Sequence, residues 1–142
     1  MKTKILLAFI TLLLLSATSY ADDIPKIVTD GLNAYKTAGF GEASRVWLKG
    51  SPLESDKTTT TNIQGSFTQV ESMCGKMINY EILKDTKISR SSNRVYVAIN
   101  HEKCPVFIFF DCYRTSSAWI IPMMRFHTEA DKILPNDFFR MK

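Results

Sequence analysis

The sequence predicts an α+β fold: N-terminal helices packed on a curved four-stranded antiparallel meander, a cone-like roll. Two observations predict it. Through the first half of the chain, apolar residues recur at helical spacing between capping signals. The second half holds four runs rich in Ile, Val, Phe and Tyr, parted by short polar breaks that suit hairpin turns. Helices first and hairpin-connected strands after them is an α+β order, not an alternating parallel one.

The 142-residue chain opens with Lys2 and Lys4, an apolar run from Ile5 to Leu15, and Ser19-Tyr20-Ala21, which together read as a signal peptide over residues 1–21. The run is shorter than the ~20 residues a membrane span needs, so no stable membrane anchor is expected. Residues 22–142 are then one exported domain, periplasmic or secreted, with a modest core. The formal charge of +4 includes both leader lysines, and no run of Lys or Arg follows them. Nucleic-acid binding is therefore not expected.

The elements follow in order. Asp23 caps and Pro25 opens a first helix whose face is Ile24, Ile27, Val28, Leu32 and Tyr35, up to Gly39. A second helix, Glu42–Leu48, buries Val46 and Trp47 and stops at Gly50. In "SPLE", Ser51 caps, Pro52 takes the first position and Glu54 stands where a capping box needs its acid. A third helix runs on to Gly75 with Leu53, Ile63, Phe67, Val70 and Cys74 on one face and Thr60 in the gap. Four consecutive threonines, Thr58–Thr61, weaken it by several tenths of a kcal/mol each. The strands are Met77–Ser89, Arg94–Asn100, Pro105–Thr115 and Ala118–Thr128. The tail "ILPNDFFRMK" packs Phe138 or Phe139 loosely, or frays.

Two-residue turns at Ser91–Ser92, Glu102–Lys103 and Ser116–Ser117 assign faces to the meander. Ile78, Tyr80, Ile82, Ile88, Val95, Val97, Ile99, Val106, Ile108, Phe110, Ile121 and Met123 face the helices. Tyr96, Phe107, Phe109, Tyr113, Ile120, Met124 and Phe126 face away, with Arg94 opposite Asp111 among them. A one-residue slip in any hairpin swaps its set. On this reading "CPVFIFFDCY" is a strand covered on both faces, not a redox or metal motif. A bare aromatic face is more apolar surface than a monomer normally exposes, which points to a homodimer, a partner or an apolar ligand.

Three cysteines survive processing and none forms a C-x-x-C pair. Cys104 and Cys112 stand eight residues apart on one strand, roughly 26 Å at the strand rise, too far to bridge. Cys74 precedes the first strand level with the turn that Cys104 closes, so any disulfide is Cys74–Cys104, with Cys112 a free core thiol. Three unpaired thiols is the competing reading.

"GSPLE" opening a helix, "YEIL" opening a sheet, and "VFIFFDCYRTSSAWIIPMMRFHT" with its Tyr113, Arg114, Thr115 and Trp119 resemble small exported proteins of the nuclear transport factor 2-like, cystatin-like superfamily. The resemblance spans roughly Ile24–Leu134. It implies a curved sheet wrapped round a long helix, often paired through the sheet. It also implies a functional range from ketosteroid isomerase and polyketide cyclases to non-catalytic binding modules, so it speaks to fold more than to function. The enzymes of the superfamily place a carboxylate or a His–Asp pair in the cone. Here Asp111 faces away from the helices and an ion pair with Arg94 accounts for it. With a slipped register, Asp111, Tyr113 and His127 become the catalytic candidates. His101, Cys104, His127 and Glu129, with Cys74 near, gather metal-ligand types without a recognised spacing, so no metal or other cofactor is expected.

The expected function is a non-catalytic exported module that dimerises or binds through its sheet or cone pocket, using Tyr96, Phe107, Phe109, Met124 and Phe126. Arg114 and Arg125 beside His127 would suit an anionic ligand. The alternative is an isomerase- or cyclase-like enzyme of small molecules.

Overall fold

Pro25 fixes the backbone ahead of helix α1 (Lys26–Ala38), which ends where Gly39 takes φ 87° and returns its N–H to the Tyr35 carbonyl at 2.9 Å. The computed structural model describes residues 24–140, so the leader over residues 1–21 and the cap by Asp23 lie outside the described residues. Helix α2 (Phe40–Leu48) follows at once. The single third helix read from the sequence is two, α3 (Pro52–Ser55) and α4 (Lys57–Cys74). Ser51 Oγ accepts from the Leu53 N–H, while Glu54 reaches one residue further back than a capping box requires, to the Gly50 N–H. The break falls at Asp56, whose carboxylate accepts from the Thr59 N–H (3.0 Å) and hydroxyl (2.7 Å). That cap starts a helix whose threonine-rich first turn has weak propensity of its own. Its buried face is the expected one, Phe67, Val70 and Cys74.

Strands β1 (Met77–Ser89), β2 (Ser92–His101), β3 (Pro105–Arg114) and β4 (Trp119–His127) form one antiparallel meander in that order. The fold is the α+β arrangement predicted, with helices and sheet sharing one core. Trp47, Phe67, Phe110, Leu32, Ile99, Ile108 and Ile121 are fully buried between the layers. Phe40 stacks on Phe67 at 3.8 Å between centroids, and Phe126 closes on the same ring at 4.1 Å. The Trp47 indole donates to the Val28 carbonyl at 3.2 Å and lies flat over Gly31, where a Cβ would overlap it.

The central hairpin has the expected register, with Arg94 opposite Asp111. The β3–β4 hairpin starts in the expected register, with Arg114 opposite Trp119 and Tyr113 opposite Ile120, and loses it further along the strand, while the β1–β2 hairpin departs from its turn onward. The first turn is Arg90–Ser91, and β1 is irregular at Ile78, Leu83 and Ile88. Each irregularity resets the inside–outside phase. Tyr80 and Ile82 still pack on the core, but Ile78 and Ile88 leave it for solvent. In β4 the shift falls at Ile121–Pro122, opposite Cys112. Proline has no N–H to give the ladder, so a bulge settles there. Beyond it Met124 and Phe126, expected on the outward face, turn to the helices. Met123, expected inward, turns out, and Arg125 and His127 share its outward face.

The outward aromatic face is not bare. Tyr96 and Phe109 are 7 % and 8 % exposed because the C-terminal segment folds back across them. Ile133 and Leu134 are buried there, with Leu83, Phe107, Ala130 and Phe138 around them. Two 3-10 turns, Ala130–Lys132 and Asn136–Phe139, shape this strap. Lys84 fastens its end, donating to Asp137 at 2.7 Å beneath the Phe138 ring. The expectation of a free surface on Tyr96, Phe107, Phe109, Met124 and Phe126 is thus corrected twice. The tail covers the first three, and the Pro122 bulge sends the last two into the core.

Candidate functional site

Asp111, Tyr113 and His127 do not form a constellation. Asp111 accepts two short bonds from Arg94, from Nε at 2.6 Å and from an Nη at 2.7 Å. The guanidinium lies 4.4 Å from the Phe109 ring centre, and its pKa is raised first of all by the bond to Asp111. A carboxylate held this way is a cross-strand brace, as the sequence indicated. Tyr113 is exposed. His127 stands on β4 four residues beyond Met123, the partner of Asp111, roughly 13 Å away at the strand rise. Its Nδ1 accepts from the Glu129 N–H at 2.9 Å.

The metal-ligand types disperse as well. His101 faces the helices and His127 faces away. Cys104 is joined to Cys74 in a disulfide, with Cα atoms 5.0 Å apart. Around it the β2–β3 turn docks on the α4–β1 junction: Lys103 N–H reaches the Cys74 carbonyl at 2.8 Å and Glu102 N–H the Lys76 carbonyl at 3.1 Å. Gly75, at φ 81°, passes so close to Glu102 that no side chain fits. Cys112 is free and buried, as expected. Burial, then Asp85 and Asp111, push its thiol up to about 12, which makes it inert.

Beside the disulfide lies a buried pair. The Tyr35 hydroxyl and His101 Nε2 are 2.8 Å apart, both residues nearly inaccessible. His101 Nδ1 has no partner among the described residues. Burial pushes the His101 pKa below 6.5, against weaker opposing effects of the Ile99 carbonyl and Glu71. The Tyr35 hydroxyl is pushed up by burial and by Glu71. The pair sits at the edge of a cleft of about 720 Å³ lined by Tyr35, Lys36, Glu71, Lys76 and Glu102 among others. The sequence held no sign that His101 meets Tyr35, 66 residues away.

A pH dependence follows from His101. Its folded-state pKa is depressed, so the unfolded chain binds the proton more tightly. The stability it confers is complete above pH 6.5 and is lost as pH falls towards the folded-state value, by roughly 1.4 kcal/mol per unit of depression. Melting curves between about pH 7 and pH 5 are expected to fall more steeply for the native chain than for His101→Gln. An imidazole that titrates above 6.5 by NMR contradicts this.

The opposite end of the roll opens into a larger groove, of about 860 Å³, between the helices and the β3–β4 hairpin. Ile27 on α1, Val46 on α2, and Trp119 and Ile120 on β4 line it. Asp30, Arg45 and Lys49 edge it, and the turn Thr115–Ala118 forms its other lip. Thr115 Oγ1 keeps that turn in shape, accepting from the Ala118 N–H at 3.1 Å and donating to the Ala118 carbonyl at 2.9 Å. Arg114 pairs directly with Trp119 and therefore shares its face. Asp30 is taken by Lys26 and Arg45 by Glu42, each at 2.6 Å. Sequence reasoning buried Val46 and took Ser116–Ser117 as a plain turn. A tryptophan two residues beyond a hairpin turn, at Trp119, was the signal it passed over. Of the cationic cluster expected from Arg114, Arg125 and His127, only Arg114 stays on the helix side.

No protein-family model, curated protein or solved structure matches this chain.

Proposed function

We propose that the chain is an exported, non-catalytic binding module of the nuclear transport factor 2-like type, which takes a small ligand in the groove between α1–α2 and the β3–β4 hairpin. One contrast carries this reading. The helix–sheet interior, where an enzyme of this type would hold its substrate, is filled by Trp47, Phe67 and Phe110, while the groove at its mouth stays open at about 860 Å³. That volume falls in the usual range for ligand sites, roughly 300–1,000 Å³. The Cys74–Cys104 disulfide supports an oxidising compartment. Pairing of two copies through the aromatic sheet face would first require release of the tail that covers Tyr96 and Phe109.

A second reading, acid–base chemistry in the cleft beside Tyr35 and His101, is favoured by their buried hydrogen bond. It needs substrate to reach a ring only 5 % exposed. Amide spectra recorded against a library of small fragments separate the two. The groove reading expects saturable shifts at residues 46–50 and 115–120. Shifts confined to residues 35–39 and 68–77 favour the second reading, and no saturable shift anywhere rejects both.

A further inference from the structure

We infer that the groove selects an amphipathic anion: a small molecule with an aromatic or short aliphatic body and one carboxylate, sulfonate or phosphate head. The inference rests on the groove being the binding site, and it adds the chemistry of the occupant. The body is specified by the walls. Ile27, Val46, Trp119 and Ile120 present apolar surface from two layers of the fold, and Trp119, only partly buried, offers a ring for stacking. The head is specified by charge. Lys49 edges the groove with no hydrogen-bond or ion-pair partner among the described residues, in contrast to Asp30, which is engaged by Lys26. The Arg114 side chain, on the Trp119 face of the hairpin, also has none, its backbone N–H alone being given to the Ser91 carbonyl. Arg45 adds a third cation, paired only with the exposed Glu42.

The edge therefore holds one uncommitted cation, Lys49, and no uncommitted anion, while Arg114 stands just outside the lining on the same face of the hairpin as Trp119. A carboxylate entering beside Lys49 gains a charge-assisted hydrogen bond, with Arg114 adding positive charge on the Trp119 face, whereas an ammonium meets like charge. A neutral molecule of the same body keeps the apolar contact alone. The three hydroxyls of Thr115, Ser116 and Ser117 stand at the same lip. Thr115 is committed to the turn, so the cations carry the discrimination.

The test titrates the full chain with 4-phenylbutyrate, 4-phenylbutanol and 4-phenylbutylammonium, which share one body and differ in the head. Binding is followed at the indole N–H resonance of Trp119, and the buried Trp47 indole serves as internal reference. The expected order is butyrate at least tenfold tighter than the alcohol, with the ammonium weakest. Lys49→Glu with Arg114→Glu, both surface changes, is expected to abolish the preference for butyrate and leave the alcohol's affinity within about twofold. If butyrate and alcohol bind equally, the anion assignment is overturned and the groove reading stands. If the ammonium binds best, the charge argument is reversed. If none of the three moves the Trp119 resonance, the groove reading falls with the inference.

Discussion

Replacing Cys74 and Cys104 together by serine is expected to lower the unfolding free energy by roughly 3–4 kcal/mol. The bridge closes a long loop, with 30 residues of sequence separation, that contains β1, β2 and the turn between them. Cross-linking removes loop-closure entropy from the unfolded chain on the scale of that loop. The native side of the balance changes less, because the junction keeps its own hydrogen bonds from Lys103 and Glu102 to the Cys74 and Lys76 carbonyls. Against a total stability of about 5–15 kcal/mol, the loss is large, yet the variant is expected to fold. Urea unfolding with and without reductant checks it: reduction of the native chain should reproduce the serine variant. A loss below about 1 kcal/mol shows that the unfolded chain is not constrained by this bridge.

Trp47→Ala is expected to cost about 3–5 kcal/mol, the largest effect of any single truncation in this core. The indole is fully buried, lies 4.9 Å from the Phe110 ring and 6.0 Å from the Phe40 ring, and its N–H occupies the Val28 carbonyl. Truncation leaves a cavity between helix and sheet and removes the indole's hydrogen bond to the Val28 carbonyl, which keeps its place in the helix ladder. The partner of this ring is an absence, the missing side chain at Gly31. Gly31→Ala alone is expected to destabilise strongly, because its methyl overlaps the indole. Placed on Trp47→Ala it enters the vacated space and costs much less. The double-mutant cycle therefore shows a coupling of about 1–3 kcal/mol, read from denaturant midpoints. Additive losses would mean that α1 and α2 do not meet through this contact.

How much of this was legible in the sequence depends on whether the signal was local. Helical spacing and the Ser51 and Gly75 punctuation are local, and they located α4 and its buried face despite four threonines. The Cys74–Cys104 bridge was reached by eliminating pairs on strand geometry, and the turn at Glu102–Lys103 that supports it has the expected register. The Arg94–Asp111 brace followed from the same turn. The outer hairpins failed because an irregularity reverses the phase of everything beyond it. Pro122 was visible as a residue that cannot donate to a ladder, and counting it would have turned Met124 and Phe126 inward. Nothing comparable marked Ile78, Leu83 or Ile88. The packing of Phe138 was expected, but that the tail straps over Tyr96 and Phe109 was missed for another reason: Ile133, Leu134 and Phe138 carry no periodicity, and what they cover depends on the completed sheet. The groove belongs to this second kind. Ile27, Val46 and Trp119 lie far apart in sequence and become a wall only when α1, α2 and the hairpin tip converge.

The central claim is that ligand enters the groove and not the interior of the roll. Intermolecular nuclear Overhauser effects from bound 4-phenylbutyrate test it most directly, since they report which side chains the ligand touches. The account predicts contacts from the phenyl ring to the Trp119 indole and to the Val46 and Ile120 methyls. Contacts to Phe67, Phe110 or the Trp47 ring would show that the packed interior opens to admit ligand, and would contradict it.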